Sequence, residues 1–209
     1  MITLMGFLLL LTAIYSGIRM IFFYSETKNM YYISLAIAAL SVAVGVGGSE
    51  LEPFLPYINS ELIMDWSRAV SISFTLSALA MLLWMSKPAF ARFPLVFCSL
   101  PLLLIFVFPL IIESSALKEM VLSMFQASSI GIGLMLYSLK GLHDSDNFLV
   151  AGGITLFLLS FILFWLPTNL AVIPLWIIKF FIASSILIGT HGLAKLIEKE
   201  KAKPQKTFL

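Results

Sequence analysis

Ile173–Ala194 reads IPLWIIKFFIASSILIGTHGLA, an unbroken apolar run interrupted by one charge, Lys179. It passes directly into Lys195-Leu-Ile-Glu-Lys199-Glu-Lys201-Ala-Lys203-Pro-Gln-Lys206. A helix needs about 20 apolar residues to cross roughly 30 Å of hydrocarbon, so the run is long enough to span a bilayer. The basic stretch behind it marks the side on which the chain ends, because lysine and arginine collect on the cytoplasmic face.

Working outward, the whole chain has the same character. Hydrophobic residues make up 60% of its 209 positions and charged residues 11%, which is too apolar for a water-soluble globule. Backbone groups in lipid must bond within their own segment, and the runs lack the alternation of a barrel strand. The expected fold is therefore an all-α integral membrane protein with seven transmembrane helices in one domain, 1–194, followed by a short basic tail, 195–209. The formal charge of only +2, spread along the chain, argues against nucleic acid as a partner. The lone cysteine, Cys98, can form no internal disulfide and reads as a packing residue.

The expected spans are 2–23, 30–48, 66–84, 93–112, 117–139, 148–166 and 173–194. The first lacks a basic residue ahead of it and is too long for a signal core, so it reads as a retained helix. Its polar residues Thr12, Tyr15, Ser16 and Arg19 form one helical stripe that should face protein. Ser34, Ala38, Ser41, Gly45 and Gly48 give the second span a small-residue face for close helix contact. Ser49 to Asp65, with four acidic residues, two prolines and no basic residue, reads as an interfacial loop. In the third span, Ser71, Ser73, Thr75 and Ser77 can bond to their own backbone or across to a neighbour. Pro101, near the middle of the fourth, should kink it. Ser123, Gln126, Ser129, Gly133 and Tyr137 line up as a polar seam on the fifth. Turns are expected at Lys87-Pro88, Lys140–Asn147 and Pro167-Thr-Asn169.

With the tail cytoplasmic, counting back through seven spans puts the N-terminus outside. Arg19, Lys28, Lys87, Arg92, Lys140, Lys195, Lys199, Lys201, Lys203 and Lys206 then lie inside, ten of thirteen basic residues. Arg68, Lys118 and Lys179 stay outside, and the positive-inside rule selects this orientation. The expected location is the cell membrane, with the bilayer and a membrane-protein partner reached through helix faces or the tail.

An ionisable residue within a span is costly unless paired or hydrated, which makes it a candidate site. Lys179 and Arg68 enter helices seven and three at similar depth, each just past a tryptophan, Trp176 and Trp66. Together with the helix order, this hints at a parallel three-plus-one-plus-three repeat. Glu50 and Glu113 are candidate partners for the cations, alongside Glu52, Glu61, Asp65 and Glu119 on the same side. Trp176 and the in-span amide of Gln126 complete the candidate ligand-binding set. The plainer alternative for Lys179 is a snorkelling side chain or a single structural pair.

Catalytic chemistry finds no footing. His143 and His191 have no partner at metal-ligand spacing, and Asp144 and Asp146 around Ser145 fit a helix cap better than a metal site. No G-x-S-x-G elbow is present. No cofactor or metal is expected. Seven helices, an outside N-terminus and a lysine in the last helix resemble the microbial rhodopsins in layout, which implies a retinal Schiff base on Lys179. Helix three, however, has no central carboxylate, Leu175 stands where an aspartate would precede the lysine, and no counter-ion is visible. The expectation is thus a non-enzymatic membrane component, a sensor or an accessory subunit. The alternative is a small carrier or channel for a polar or anionic solute with Arg68 and Lys179 at the outer mouth, and chromophore binding comes third.

Overall fold

Seven helices succeed one another: α1 (Ile2–Thr27), α2 (Met30–Leu51), α3 (Ser60–Ser86), α4 (Leu103–Ile111), α5 (Ser115–Gly141), α6 (Asn147–Trp165) and α7 (Leu175–Ala202). They belong to a computed structural model that describes residues 2–54, 57, 59–86, 92–165 and 174–202. The turns at Lys87-Pro88 and Pro167-Thr-Asn169, and Lys203 and Lys206 of the tail, lie outside the described residues.

Local signals set the helix ends. Lys28, at φ 55°, turns the chain left-handed between α1 and α2, and the Asn29 side chain accepts from Tyr31 N–H to cap α2. Asn59 does the same for Leu62 N–H, so α3 begins at Ser60 and takes in the last six residues of the stretch read as a loop. Ile197 is buried, so the apolar face of α7 continues past the last hydrophobic run and carries the basic segment as helix to Ala202.

Six helices, all but α4, are long and apolar enough to cross a membrane, consistent with a helical membrane bundle. The fourth run departs from the expected kinked helix. Leu95–Leu102 forms a 3₁₀ helix that gives way to α4 immediately after Pro101. Proline has no N–H, so in a 3₁₀ pattern it leaves the carbonyl three residues back, that of Cys98, without a donor. Ser77 of α3 supplies one, its Oγ donating to Cys98 O at 2.8 Å. The steeper 3₁₀ rise lets these two short pieces together reach about 30 Å, the thickness that needs some 20 residues of pure α-helix.

Each long helix touches the next in a closed ring, α1–α2–α3–α5–α6–α7 and back to α1. The 3₁₀ segment and α4 lie outside that ring against α3 and α5. Val96, Phe106 and Leu110 of this outer element keep three quarters or more of their surface exposed, a face suited to lipid.

Glycine permits the closest contacts in the ring. The expected small-residue face of α2 meets α3, where a Cβ on Gly45 would lie 2.8 Å from Ser67 Cβ. A Cβ on Gly153 of α6 would lie 2.8 Å from the backbone nitrogen of Gly189 on α7. Of the polar stripe on α1, Thr12 and Ser16 face inward, and Ser16 shares a 2.7 Å hydrogen bond with Thr190 of α7. Tyr15, rotated to one side of that line, is exposed. Gly45→Leu and Gly153→Ala should each cost about 1–3 kcal/mol by overpacking. Thermal unfolding in detergent measures this, and an unchanged melting temperature would mean that these faces do not carry the helix contacts.

Candidate functional site

The ring encloses a cavity of about 510 Å³ along its axis, walled by α1, α2, α3, α5, α6 and α7. It follows α3 from Met64 to Leu79 and α7 from Leu175 to Leu193, about 22–27 Å at the helical rise of 1.5 Å per residue. The wall is mostly aliphatic and aromatic. Four of its hydroxyls are satisfied within their own helices: Ser49, Thr75, Ser129 and Ser160 donate to the carbonyls of Val46, Ser71, Gln126 and Phe157.

Two charged residues line the cavity among those described, and both are cations at the same end. Lys179 Nζ donates to Glu50 Oε1 at 2.6 Å, and Arg68 Nη1 to Glu119 Oε1 at 2.9 Å. Neither carboxylate forms part of the wall. The two pairs differ in burial: the Lys179 and Glu50 side chains are 17% and 7% exposed, those of Arg68 and Glu119 25% and 37%. Glu50 reaches α7 past α1, which stands between α2 and α7 in the ring. Gly6 of α1 makes room for it, since a Cβ there would sit 1.8 Å from Glu50 Oε1. Behind this end, Lys118 of α5 binds Asp65 of α3 at 2.5 Å in a buried pair, with Glu61 at 3.7 Å.

The far end is closed. Tyr31 of α2 and Tyr137 of α5 join hydroxyl to hydroxyl. Below them Phe23 of α1, Tyr32 of α2, Leu82 of α3, Leu136 of α5, Val150 of α6 and Ile197 of α7 belong to one buried cluster to which all six ring helices contribute.

The structure brings Lys179, Arg68, Gln126 and Glu50 to this end as a group, with Gln126 on the wall and Glu50 as the partner of Lys179. It leaves two candidates out. Glu113 is exposed in the turn between α4 and α5, and Trp176 is half-buried beside the cavity without lining it. The counter-charge missing from helix three comes from α2 instead. Glu119, one of the carboxylates expected on this side, is the partner of Arg68, and Tyr137 of the α5 seam meets Tyr31. Gly6 and Tyr31 were not singled out, since nothing local to either announces a partner so distant in sequence. No protein-family model, curated protein or solved structure matches the chain.

At the opposite end of the bundle the basic segment of α7 is engaged with protein carboxylates. Lys199 binds Asp144 at 2.6 Å and Asp146 at 2.9 Å, and Lys201 binds Glu26 at 2.7 Å. These exposed pairs tie α7 to the α5–α6 turn and to the end of α1. Solvent and salt screen such exposed pairs, so each contributes little to stability.

Burial of the Lys179–Glu50 pair sets its sensitivity. Lys179→Met strands a carboxylate in an apolar bundle and should cost about 3 to 5 kcal/mol. Combining it with Glu50→Met should recover most of the loss, while Arg68→Met, acting on a half-solvated pair, should cost less. A double-mutant cycle on unfolding in detergent reads this, and additive losses would contradict a direct buried pair.

Proposed function

We propose that this chain is a non-enzymatic component of the cell membrane, with its N-terminus outside and C-terminus in the cytoplasm, that holds a ligand in the axial cavity. The observation that carries the reading is the shape and chemistry of that cavity: long, apolar-walled, furnished with two cations at one end and blocked at the other. A volume of about 510 Å³ falls in the usual range for small-molecule sites, about 300–1,000 Å³. In the proposed orientation the cation end faces outward and the tyrosine end inward, as expected for a site that samples the outer half of the bilayer. Lysines tied down at the inner end fit the positive-inside pattern.

The carrier reading draws support from the ring itself. Helices one to three and five to seven make up the wall and the fourth stands apart, the arrangement a three-plus-one-plus-three repeat would give. Against it stand the apolar wall and the closed inner end. A polar solute crossing this path would meet few hydrogen-bonding partners beyond the two cations, Gln126 and the serines of the wall. A sensor or binding subunit, which needs a site rather than a path, fits better.

Gly189 offers the test, because a Cβ there meets nothing within 4 Å and its helix face lines the cavity. Gly189→Leu should fill the pocket, so native mass spectrometry should find a small molecule on the wild-type protein extracted from its own membrane and none on the variant. Gly152→Leu makes the same substitution on an exposed helix face and should retain the molecule. Equal occupancy of both variants would sink the pocket reading. For orientation, a cysteine at Asn59 should react with an impermeant maleimide in intact cells and one at Ser145 should not. The reverse pattern would overturn the proposed topology.

A further inference from the structure

We infer that the ligand is a single-chain amphiphile with an anionic, acceptor-rich headgroup, such as a long-chain carboxylate or phosphate monoester, held head outward. This rests on the pocket reading above and adds its chemistry. The donors at the cation end outnumber their acceptors. A guanidinium carries five N–H donors, and Arg68 uses one hydrogen bond, to Glu119; an ammonium carries three, and Lys179 uses one, to Glu50. The Gln126 amide on the same wall makes no side-chain hydrogen bond among the described residues. The carboxylates stand behind the cations and off the wall, so they neutralise the empty site without occupying its front. A headgroup that only accepts hydrogen bonds can use all the spare donors; one that donates finds a single free acceptor among those side chains, Gln126 Oε1.

Below the headgroup the chemistry reverses. From Ile72 of α3 and Ile182 of α7 to Leu193, the cavity offers hydrocarbon and aromatic surface, and the serine and threonine hydroxyls that have bonded to their own helices add little polarity. A polar-headed molecule without a tail would leave this length empty. A neutral hydrocarbon would leave the donors unanswered, the more costly fault in a low-dielectric site. A run of about 22–27 Å suits an extended chain rather than a compact ring system.

The test uses the full chain in nanodiscs of zwitterionic phosphatidylcholine, with tritiated palmitate as probe. Palmitate should bind, and unlabelled lysophosphatidate should displace it; whichever of the two binds more tightly names the headgroup, carboxylate or phosphate. Methyl palmitate should bind about tenfold more weakly or worse, having lost its charge-assisted hydrogen bonds. Butyrate should not compete. Arg68→Gln, chosen because its partly exposed pair makes it the milder substitution, should bring palmitate down to the level of the ester and leave the ester unchanged. A melting curve confirms that this variant is folded, and Arg68→Lys, which keeps the charge, should restore part of the affinity. Ester and acid binding equally, or butyrate competing as well as palmitate, would overturn the inference. If a co-purifying molecule is still lost in Gly189→Leu, the pocket itself survives that result. If neither long-chain probe binds and no molecule co-purifies, the pocket reading falls as well.

Discussion

A ring of six helices in which each touches its two neighbours cannot fill its own axis with backbone, and side chains must either close the middle or leave it open. Here they do both. At one end Tyr31, Tyr137 and a cluster of aliphatic and aromatic side chains pack the centre solid. Along the cavity, Ser67, Ser71, Gly133, Gly153 and Gly189 are among the lining positions and leave space that larger side chains would take. The same glycines that allow α6 to lie against α7 thus leave the cavity beside that contact. Close packing between neighbours and emptiness at the centre have one cause.

Charge is placed under the same constraint. A cation facing an apolar cavity is tolerable when a carboxylate reaches it, and in this bundle each carboxylate comes from a different helix: Glu50 of α2 for Lys179, Glu119 of α5 for Arg68, Asp65 of α3 for Lys118. The three pairs join α2 to α7 and α3 to α5 twice, adding to the packing of Trp66, Ile72, Phe108 and Leu122 at that end. The α3–α5 junction, bridged by two of the three pairs, is also where α4 lies across the outside.

The fourth element shows how a sequence can shorten a helix without losing reach. Pro101 forbids one backbone bond, the 3₁₀ pattern stretches the chain around it, and Ser77 answers the carbonyl that proline leaves unpaired. Because this element lines no part of the cavity, its irregular backbone costs the site nothing.

Much of this was legible in the chain. Continuous apolar runs mark six helices long enough to cross a membrane, because hydrophobic length is a local property, while the fourth run folds as a 3₁₀ piece and a nine-residue helix. Small residues at helical spacing marked the α2 face that meets α3, and the in-span charges marked Lys179 and Arg68 as the place to look. Pairing was beyond its reach: nothing near Glu50 or Glu113 in the sequence says that Glu50 crosses α1 to Lys179 while Glu113 stays in solvent. That choice depends on which helices become neighbours and on a missing side chain at Gly6. Nor could the runs reveal that six helices close into a ring with α4 outside, or that α7 continues as helix through its lysines. Apolar periodicity records which face of a helix avoids water, but within a bilayer every face does so; only the packed bundle decides which faces meet and which enclose a space.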